Sequence, residues 1–363
     1  EEAGRSGRHQ RRRHEPTGWG LIRVKPLRAI LGTASASDKI IALAEGDDPR
    51  VVEGAVMAVK ENVARIILIG NKAEVSALLQ THEGYDPERI EIHDPVDSAL
   101  TPELTQALYE RRKHRGMTLD EAQQQIKDRL TYAALLVQQG IADGTVGGAV
   151  ETTSDTVRAA LQIIGTAPDA AMVSSFFLML FCKDHHEVKG AHIFADCGLV
   201  VDPDAQEMAE IARASAASYE TLTGETARVA MLSFSTSGSA AHAKVSKVVE
   251  ATRIAREKDP TLLIDGELQF DAAFVPEVAA KKATDSPLKG EANVFVFPSL
   301  NAGNLGYKIA QRIGGVEAIG PVLQGLAKPA NDLSRGCSSE DILHMIAVTA
   351  VQAQHIKSKR EAR

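Results

Sequence analysis

The segment KPANDLSRGCSSEDI at residues 328–342 combines polar groups with the start of a predicted helix. Ser338 followed three residues later by Asp341 fits a capping box, in which hydroxyl and carboxylate accept hydrogen bonds from N–H groups at the helix start. Apolar residues recur at helical spacing after Asp341, so we expect this helix to be buried and its start to be fixed. A fixed helix start offers free N–H groups, and the Arg335 guanidinium suits phosphate or carboxylate. The segment, which also holds Ser334, therefore predicts an ordinary cap or an anion site.

Two further turns place small polar residues between a predicted strand and a predicted helix, in STSGSAAHAKV at 235–245 and PSLNAGNLGYK at 298–308. Such turns bind anions at the carboxyl ends of strands in α/β proteins, although Ser, Thr and Gly before a helix also form ordinary caps. Glycine allows a backbone to approach a ligand closely. Neither turn has a dinucleotide-binding or P-loop pattern. The candidate contacts are Ser235, Ser237, Asn301, Gly303 and Asn304.

Cysteine and histidine offer less specific signals. The three cysteines, Cys182, Cys197 and Cys337, show no metal-ligand spacing, which favours reduced thiols over a disulfide framework. Cys337 stands beside the Ser-Arg-Gly sequence, but the nearest histidine, His344, lies inside the predicted helix, which argues against a nucleophilic thiol. Adjacent histidines in the polar run at 184–192 are typical of a solvated loop, so no metal site is predicted.

The composition and net charge indicate the general class of protein. At 363 residues, with 44% hydrophobic and 25% charged residues, the chain is expected to fold into two soluble globular domains. Its net charge of −7 and 4% aromatic content argue against a nucleic-acid partner. The apolar run at 170–182 is too short to span a bilayer, and no signal peptide is evident, so we expect no membrane association and a cytoplasmic location. Basic residues cluster in a tail at 1–15.

Short β-rich runs alternate with helical stretches along most of the chain. KIIALAEG at 39–46, ARIILIGN at 64–71 and RIEIHDP at 89–95 are separated by amphipathic segments. A glycine-rich strand end at 142–150 then leads into a helix that carries Arg158. This alternation is typical of a parallel α/β sheet, so the sequence predicts the α/β class.

Four segments together are specific for one family: LYERRKHRGMT (108–118), GGAVETTSDTVRAALQIIG (147–165), VFPSLNAGNLGYKIAQRIGG (296–315) and GPVLQGLAKPANDLSRGCSSEDI (320–342). They resemble the phosphate acetyltransferases, which exchange an acyl group between coenzyme A and inorganic phosphate. The resemblance implies two three-layer α/β domains with a central cleft, similar to isocitrate and isopropylmalate dehydrogenases. On that basis we expect a disordered basic tail at 1–25, domain I at 26–169 and 321–357, and domain II at 170–320.

The resemblance also implies roles for single residues. Asp341 takes the proton from the coenzyme A thiol, while Ser334 and Arg335 interact with the reacting acyl phosphate. A hydroxyl that donates to the developing oxyanion is worth about 3 kcal/mol in other acyl-transfer sites. Because a carboxyl pKa of about 3.9 lies far below a thiol pKa of about 8.5, the base role requires a site that narrows this gap.

Two more arginines, Arg112 and Arg158, match the family's contacts to phosphate and coenzyme A. Arg111 precedes Arg112 where the family has a hydrophobic residue, so the choice between these neighbours stays open. The expected substrates are acetyl-CoA, phosphate and acetyl phosphate, without a cofactor, and the resemblance implies a homodimer. The alternatives are a regulatory domain that binds acetyl-CoA without catalysis, or transfer of a propanoyl or butanoyl group.

Overall fold

The computed structural model describes residues 25–83 and 85–361, so the predicted tail at 1–25 lies outside the described residues except for Lys25. The strands are β1 (Ile40–Leu43), β2 (Arg65–Ile69), β3 (Ile90–His93), β4 (Gly144–Gly147), β5 (Ser174–Phe181), β6 (Gly190–Ala195), β7 (Arg228–Leu232), β8 (Leu263–Leu268), β9 (Val294–Val296), β10 (Glu317–Gln324) and β11 (Ala330–Asp332). The α-helices are α1 (Lys25–Ser35), α2 (Pro49–Lys60), α3 (Lys72–Leu79), α4 (Thr101–Arg112), α5 (Leu119–Gln125), α6 (Arg129–Gln139), α7 (Thr153–Ala159), α8 (Ala205–Thr223), α9 (Ala243–Lys258), α10 (Phe270–Phe274), α11 (Pro276–Lys282), α12 (Leu300–Arg312) and α13 (Ser339–Glu361). A 3₁₀ turn at Lys113–Arg115 follows α4, and a π-helical turn at Ala160–Ile164 follows α7.

The first sheet has five strands in the order β11-β4-β1-β2-β3, and every pair is parallel. Its strands are short and largely buried, because helices cover both faces as the βαβ connection requires. The parallel α/β architecture predicted from the alternating pattern is confirmed here.

The second sheet has six strands in the order β10-β5-β6-β9-β7-β8. Strands β6, β9, β7 and β8 are parallel, whereas β5 pairs antiparallel with both β10 and β6. The apolar run at 170–182 supplies β5, which is buried along nearly its whole length. The sequence pattern did not predict the antiparallel pairs. A strand that is buried on both faces has the same apolar pattern in parallel and in antiparallel pairing.

Helix α13 joins the two sheets into one core. It packs against α1, α2 and α8, and its apolar residues Ile342, Ile346 and Ala350 are fully buried. The buried helix predicted after Asp341 is therefore confirmed, as is the α/β class with two sheet-based units. Strand β10 crosses residue 320, where the sequence places a domain boundary, and the exact boundaries stay a prediction. Among the helices in the described part of the chain, none is long and apolar enough to cross a membrane.

Three neighbouring strands bring distant residues to one edge of the first sheet. Strands β11, β4 and β1 are adjacent and parallel, so their carboxyl ends lie side by side. Glu45 follows β1, Gly148 follows β4 and Ser334 follows β11. In open α/β sheets this edge is where ligands bind.

Candidate active site

The predicted capping box at the start of α13 is present. Ser338 donates to Asp341 Oδ2 from its backbone N at 2.8 Å and from its hydroxyl at 2.9 Å, and the Asp341 N–H donates back to the Ser338 hydroxyl at 3.2 Å. Asp341 is nevertheless exposed, and within the described residues its Oδ1 accepts no hydrogen bond. The cap thus fixes the carboxylate and leaves one oxygen open.

A tight turn holds Ser334 and Arg335 in front of that helix. The Cys337 N–H donates to the Ser334 carbonyl at 2.9 Å, and the Gly336 N–H donates to the Ser334 hydroxyl at 3.3 Å. Both Ser334 and Arg335 are exposed. Among the described residues, the Arg335 guanidinium has no hydrogen-bond or ion-pair partner, so it is available to a ligand anion.

Arg50, at the start of α2, ties this turn to the loop after β4. One guanidinium nitrogen donates to the carbonyls of Arg335 at 2.8 Å and Cys337 at 3.1 Å, and the other donates to the carbonyl of Ala149 at 2.9 Å. Asp48 holds the same guanidinium through Nε at 3.0 Å and the second nitrogen at 2.8 Å, and this contact lowers the pKa of Asp48. The sequence reasoning did not identify this link, because it joins residues almost 300 positions apart.

The glycine-rich loop after β4 is held by a carboxylate of the protein itself. Buried Glu45 accepts hydrogen bonds of 2.9 to 3.1 Å from four consecutive backbone N–H groups, at residues 148–151. Such a run of N–H groups forms an anion site in many proteins. Here the anion is Glu45, so the loop serves as a rigid frame before α7.

A cavity of about 270 Å³ brings Ser334 and Asp341 together. Helix α12 also lines this cavity, through Tyr307, Lys308 and Arg312 among others. The apolar part of the wall includes the stacked rings of Phe177 and Tyr307, with centroids 3.9 Å apart. The sequence analysis missed the two cations, although their spacing of four residues on a predicted helix places them on one face.

The three arginines proposed from the sequence do not line this cavity. Arg158 is exposed at the end of α7, where it pairs with Asp155 at 2.5 Å. Arg111 donates to the carbonyls of Gln162 at 3.4 Å and Ile164 at 3.2 Å, so it caps the π-helical turn.

Arg112 is partly buried at the end of α4, and within the described residues its Nε lies buried without a hydrogen-bond partner. Arg111 is committed to carbonyl groups, and the role of Arg112 as a substrate contact stays a prediction. Arg335 follows Ser334 in the chain, but it is not one of the residues that line the cavity.

The polar groups of the turn at 235–239 form hydrogen bonds within the protein. Ser235 is buried and donates to Glu267 at 2.9 Å, and the Gly238 N–H donates to the same carboxylate at 2.8 Å. Ser237 is exposed in the left-handed region, with φ of 48°. The ligand-contact prediction for both serines stays untested, and the hydrogen bonds show how Glu267 orders the turn.

The turn at the start of α12 packs against protein rather than open space. A Cβ at Gly303 would clash with the Asp196 carbonyl and the Cys197 sulfur, so glycine permits close packing of α12 on that segment. Asn304 donates to the Cys197 carbonyl at 3.0 Å, while Asn301 is exposed. Their roles as substrate contacts stay predictions.

The remaining candidates are one cysteine and three histidines. Burial raises the pKa of the Cys337 thiol to about 11, so this cysteine is protonated at neutral pH. His185 and His186 hydrogen-bond to the Gly314 carbonyl, and burial lowers the pKa of His192 to about 4. Across residues 25–83 and 85–361, no group of three His, Cys, Asp or Glu side chains could hold a metal ion.

The protein has two α/β units and a cavity at a fixed helix start, lined by a hydroxyl, a carboxylate and two cations. These features are those of an α/β enzyme that binds anionic substrates. Comparison with known proteins narrows this class. The family model for phosphate acetyl/butaryl transferases matches residues 27–350.

Curated relatives and solved structures agree with the family model. A phosphate acetyltransferase from Acetivibrio thermocellus is 48% identical over 332 residues, which cover 92% of this chain and 99% of that protein. One from Paracoccus denitrificans is 50% identical over 331 residues, covering 91% and 100%. The EutD phosphotransacetylase structure from Staphylococcus aureus has a TM-score of 0.81 and 45% identity, covering 90% of this chain and 98% of that one.

The chain belongs to the phosphate acetyl/butaryl transferase family. The resemblance inferred from four sequence segments is confirmed, and the protein is an acyltransferase.

Proposed function

We propose that the chain transfers an acetyl group reversibly between acetyl-CoA and inorganic phosphate, giving acetyl phosphate and coenzyme A. The observation that carries this proposal is the shared cavity of Ser334, Asp341, Lys308 and Arg312. It offers a proton acceptor, a hydroxyl donor and two cations, which are the groups that thioester formation from an acyl phosphate requires.

In the direction of acetyl-CoA formation, the free Oδ1 of Asp341 accepts the proton of the coenzyme A thiol. The sulfur then attacks the carbonyl carbon of acetyl phosphate, and the carbon–oxygen bond to phosphate breaks after a tetrahedral intermediate. The exposed Ser334 hydroxyl donates to the oxyanion of that intermediate. The Ser338 hydrogen bonds hold Asp341 in place during both steps.

Cationic side chains bind the phosphate groups of both substrates in this proposal. Lys308 and Arg312 line the cavity, and the Arg335 guanidinium beside Ser334 is unpaired within the described residues. Arg158 completes the set once an incoming phosphate displaces Asp155 from its exposed ion pair. Phosphate in this proposal needs no metal ion, and we propose that the enzyme uses no cofactor.

Acetyl is the preferred acyl group in this proposal because the relatives that match nearly the full chain are named phosphate acetyltransferases. The family description also includes the longer butaryl group. One or two methylene groups change binding by only about 1 to 3 kcal/mol, so a direct comparison of acyl chains is required.

We also infer that the protein works as a homodimer. Leu305 and Ile309 on α12, with Ile313 directly after it, form an apolar stripe, and they are 62%, 56% and 83% exposed. Their spacing of four residues sets them on one side of the helix, and a second copy would bury them. Ile309→Glu with Ile313→Glu should yield a monomer by light scattering, whereas Val96→Glu, at a 73% exposed position, should leave the mass unchanged. An unchanged mass for the double variant would exclude this surface.

A cytoplasmic location completes the proposal. Cys182, Cys197 and Cys337 are buried and form no disulfide within the described residues, as a reducing compartment allows.

A thiol-release assay tests the function. Purified protein is mixed with acetyl-CoA, propanoyl-CoA or butanoyl-CoA, with and without phosphate, and free coenzyme A is measured with a thiol reagent. We expect release that depends on phosphate and is fastest with acetyl-CoA. Faster release from butanoyl-CoA would reassign the acyl group, and binding of acetyl-CoA without release would support a regulatory domain instead.

A further inference from the structure

Asp332 is a buried carboxylate with incomplete hydrogen bonding, two residues before Ser334. It ends β11 and has no exposed surface. Its Oδ2 accepts a hydrogen bond from the Thr153 hydroxyl at 2.6 Å, whereas its Oδ1 is buried without a partner among the described residues. A buried polar atom without a partner lowers stability, so such a group in a folded protein requires an explanation.

The Thr153 contact joins two segments that the reaction needs together. Thr153 is the first residue of α7, the helix that carries Arg158. Asp332 leads directly into the turn of Ser334 and Arg335. The bond therefore connects the base of that turn with the start of the arginine-bearing helix.

The surroundings of Asp332 leave little room for the link to shift. A Cβ at Gly148 would clash with Asp332 Oδ1, and Gly148 has a positive φ of 95°. The Leu333 N–H donates to the Gly147 carbonyl at 2.7 Å, which fixes the backbone just after Asp332. On the other side, Glu45 holds the loop that precedes α7.

We propose that Asp332 is a positioning residue for the transfer reaction: through the Thr153 hydroxyl it holds α7, and with it Arg158, in a fixed place relative to the Ser334–Arg335 turn. This inference rests on the proposed function, because it assumes that Arg158 and the turn act on the same substrate. A misplacement of about 1 Å in such an arrangement can lower a rate about 100-fold.

The charge on Asp332 sets the strength of this link. Burial raises the pKa of Asp332 to about 6, the Thr153 and Thr156 hydroxyls on α7 oppose that rise, and the charge of Glu45 beyond β1 adds to it. At neutral pH the carboxylate is mostly ionised, and a hydrogen bond to an ionised acceptor is stronger than one to a neutral acceptor. The link therefore weakens as the pH falls through about 6.

Four variants of the full chain test the proposal. Thr153→Val removes the hydroxyl at almost constant volume, and Thr153→Ser keeps it. Asp332→Asn removes the charge. The control is Thr145→Val, since the Thr145 hydroxyl donates to the Ala42 carbonyl at 2.9 Å in the same sheet and not to Asp332. Phosphate-dependent release of coenzyme A gives kcat and the two KM values from pH 5 to 8, and thermal unfolding gives stability.

We expect Thr153→Val and Asp332→Asn to lower kcat/KM for phosphate about 10-fold or more, with the KM for acetyl-CoA within about twofold of wild type. Thr153→Ser should restore most of the activity, and Thr145→Val should retain it. In the wild type kcat should fall below about pH 6, a decline that Asp332→Asn should lack. Asp332→Asn should unfold at the wild-type temperature or above it at pH 7.5, because it removes a buried charge. A purely structural role would instead lower stability and activity together.

Several results would overturn the proposal. Wild-type kinetics in both Thr153→Val and Asp332→Asn would remove the link from catalysis. Equal losses in Thr153→Val and Thr145→Val would show a general sensitivity to lost hydroxyl groups. If the wild type itself releases no coenzyme A in response to phosphate, the proposed function fails first and this inference falls with it.

Discussion

Ionisation of the buried Asp332 carboxyl should make the protein less stable as the pH rises. Burial is the main reason that its pKa is raised to about 6 in the folded protein, above the ordinary value of 3.8. The folded state therefore holds this proton more tightly than the unfolded chain does. The stabilisation is fully present below about pH 3.8, and it is lost as the pH rises through about 6.

The full difference between the two pKa values corresponds to about 3 kcal/mol, at 1.36 kcal/mol for each pKa unit. Much of it falls in a range that is accessible to experiment. Between pH 5 and pH 7.5, a group with these two pKa values loses about 1.4 kcal/mol of its contribution to the free energy of unfolding. Asparagine at this position does not titrate, so Asp332→Asn should not show that loss.

Urea unfolding of the wild type and of Asp332→Asn at pH 5 and pH 7.5 measures this contribution. The difference in unfolding free energy between the two proteins should change by about 1.4 kcal/mol between the two pH values, in favour of the variant at pH 7.5. Asp120→Asn, at an exposed position in α5, is the matched control and should show almost no change. A difference independent of pH would mean that Asp332 has an ordinary pKa in the folded state, contrary to this prediction.

Other predictions concern the substrates and the thiol. Arg158→Gln and Arg335→Gln should each raise the KM for phosphate about 10-fold, and unchanged steady-state kinetics for both would exclude them from the site. Lys308→Gln and Arg312→Gln should raise the KM for acetyl-CoA, and calorimetric titration with unchanged affinity would show that these cations do not meet it. Cys337→Ser should keep kcat within about threefold of wild type, because burial raises the thiol pKa to about 11; loss of turnover in a folded variant would contradict this.

Local signals in the sequence predicted the framework of the site. The capping box of Ser338 and Asp341 is encoded within four residues, and the buried helix after it follows from apolar spacing. The alternating strands and helices likewise predicted the parallel sheet that holds β1 and β4. These features depend on neighbouring residues, so a single sequence contains them.

Long-range contacts account for what the sequence could not show. The N–H groups at 148–151 resemble an anion site until Glu45, about a hundred residues earlier, is seen to fill it. In the same way, Glu267 occupies the turn around Ser235. The incomplete hydrogen bonding of Asp332 depends on Thr153 and Gly148, which no local pattern connects to β11.

Turnover of Asp341→Asn is the decisive test of the proposal that Asp341 accepts the thiol proton. Phosphate-dependent release of coenzyme A is measured for this variant and the wild type, and calorimetry measures acetyl-CoA binding to both. We expect the variant to fold and to bind acetyl-CoA with nearly wild-type affinity, while its turnover is almost abolished. Turnover close to that of the wild type would show that Asp341 is a helix cap and not the base.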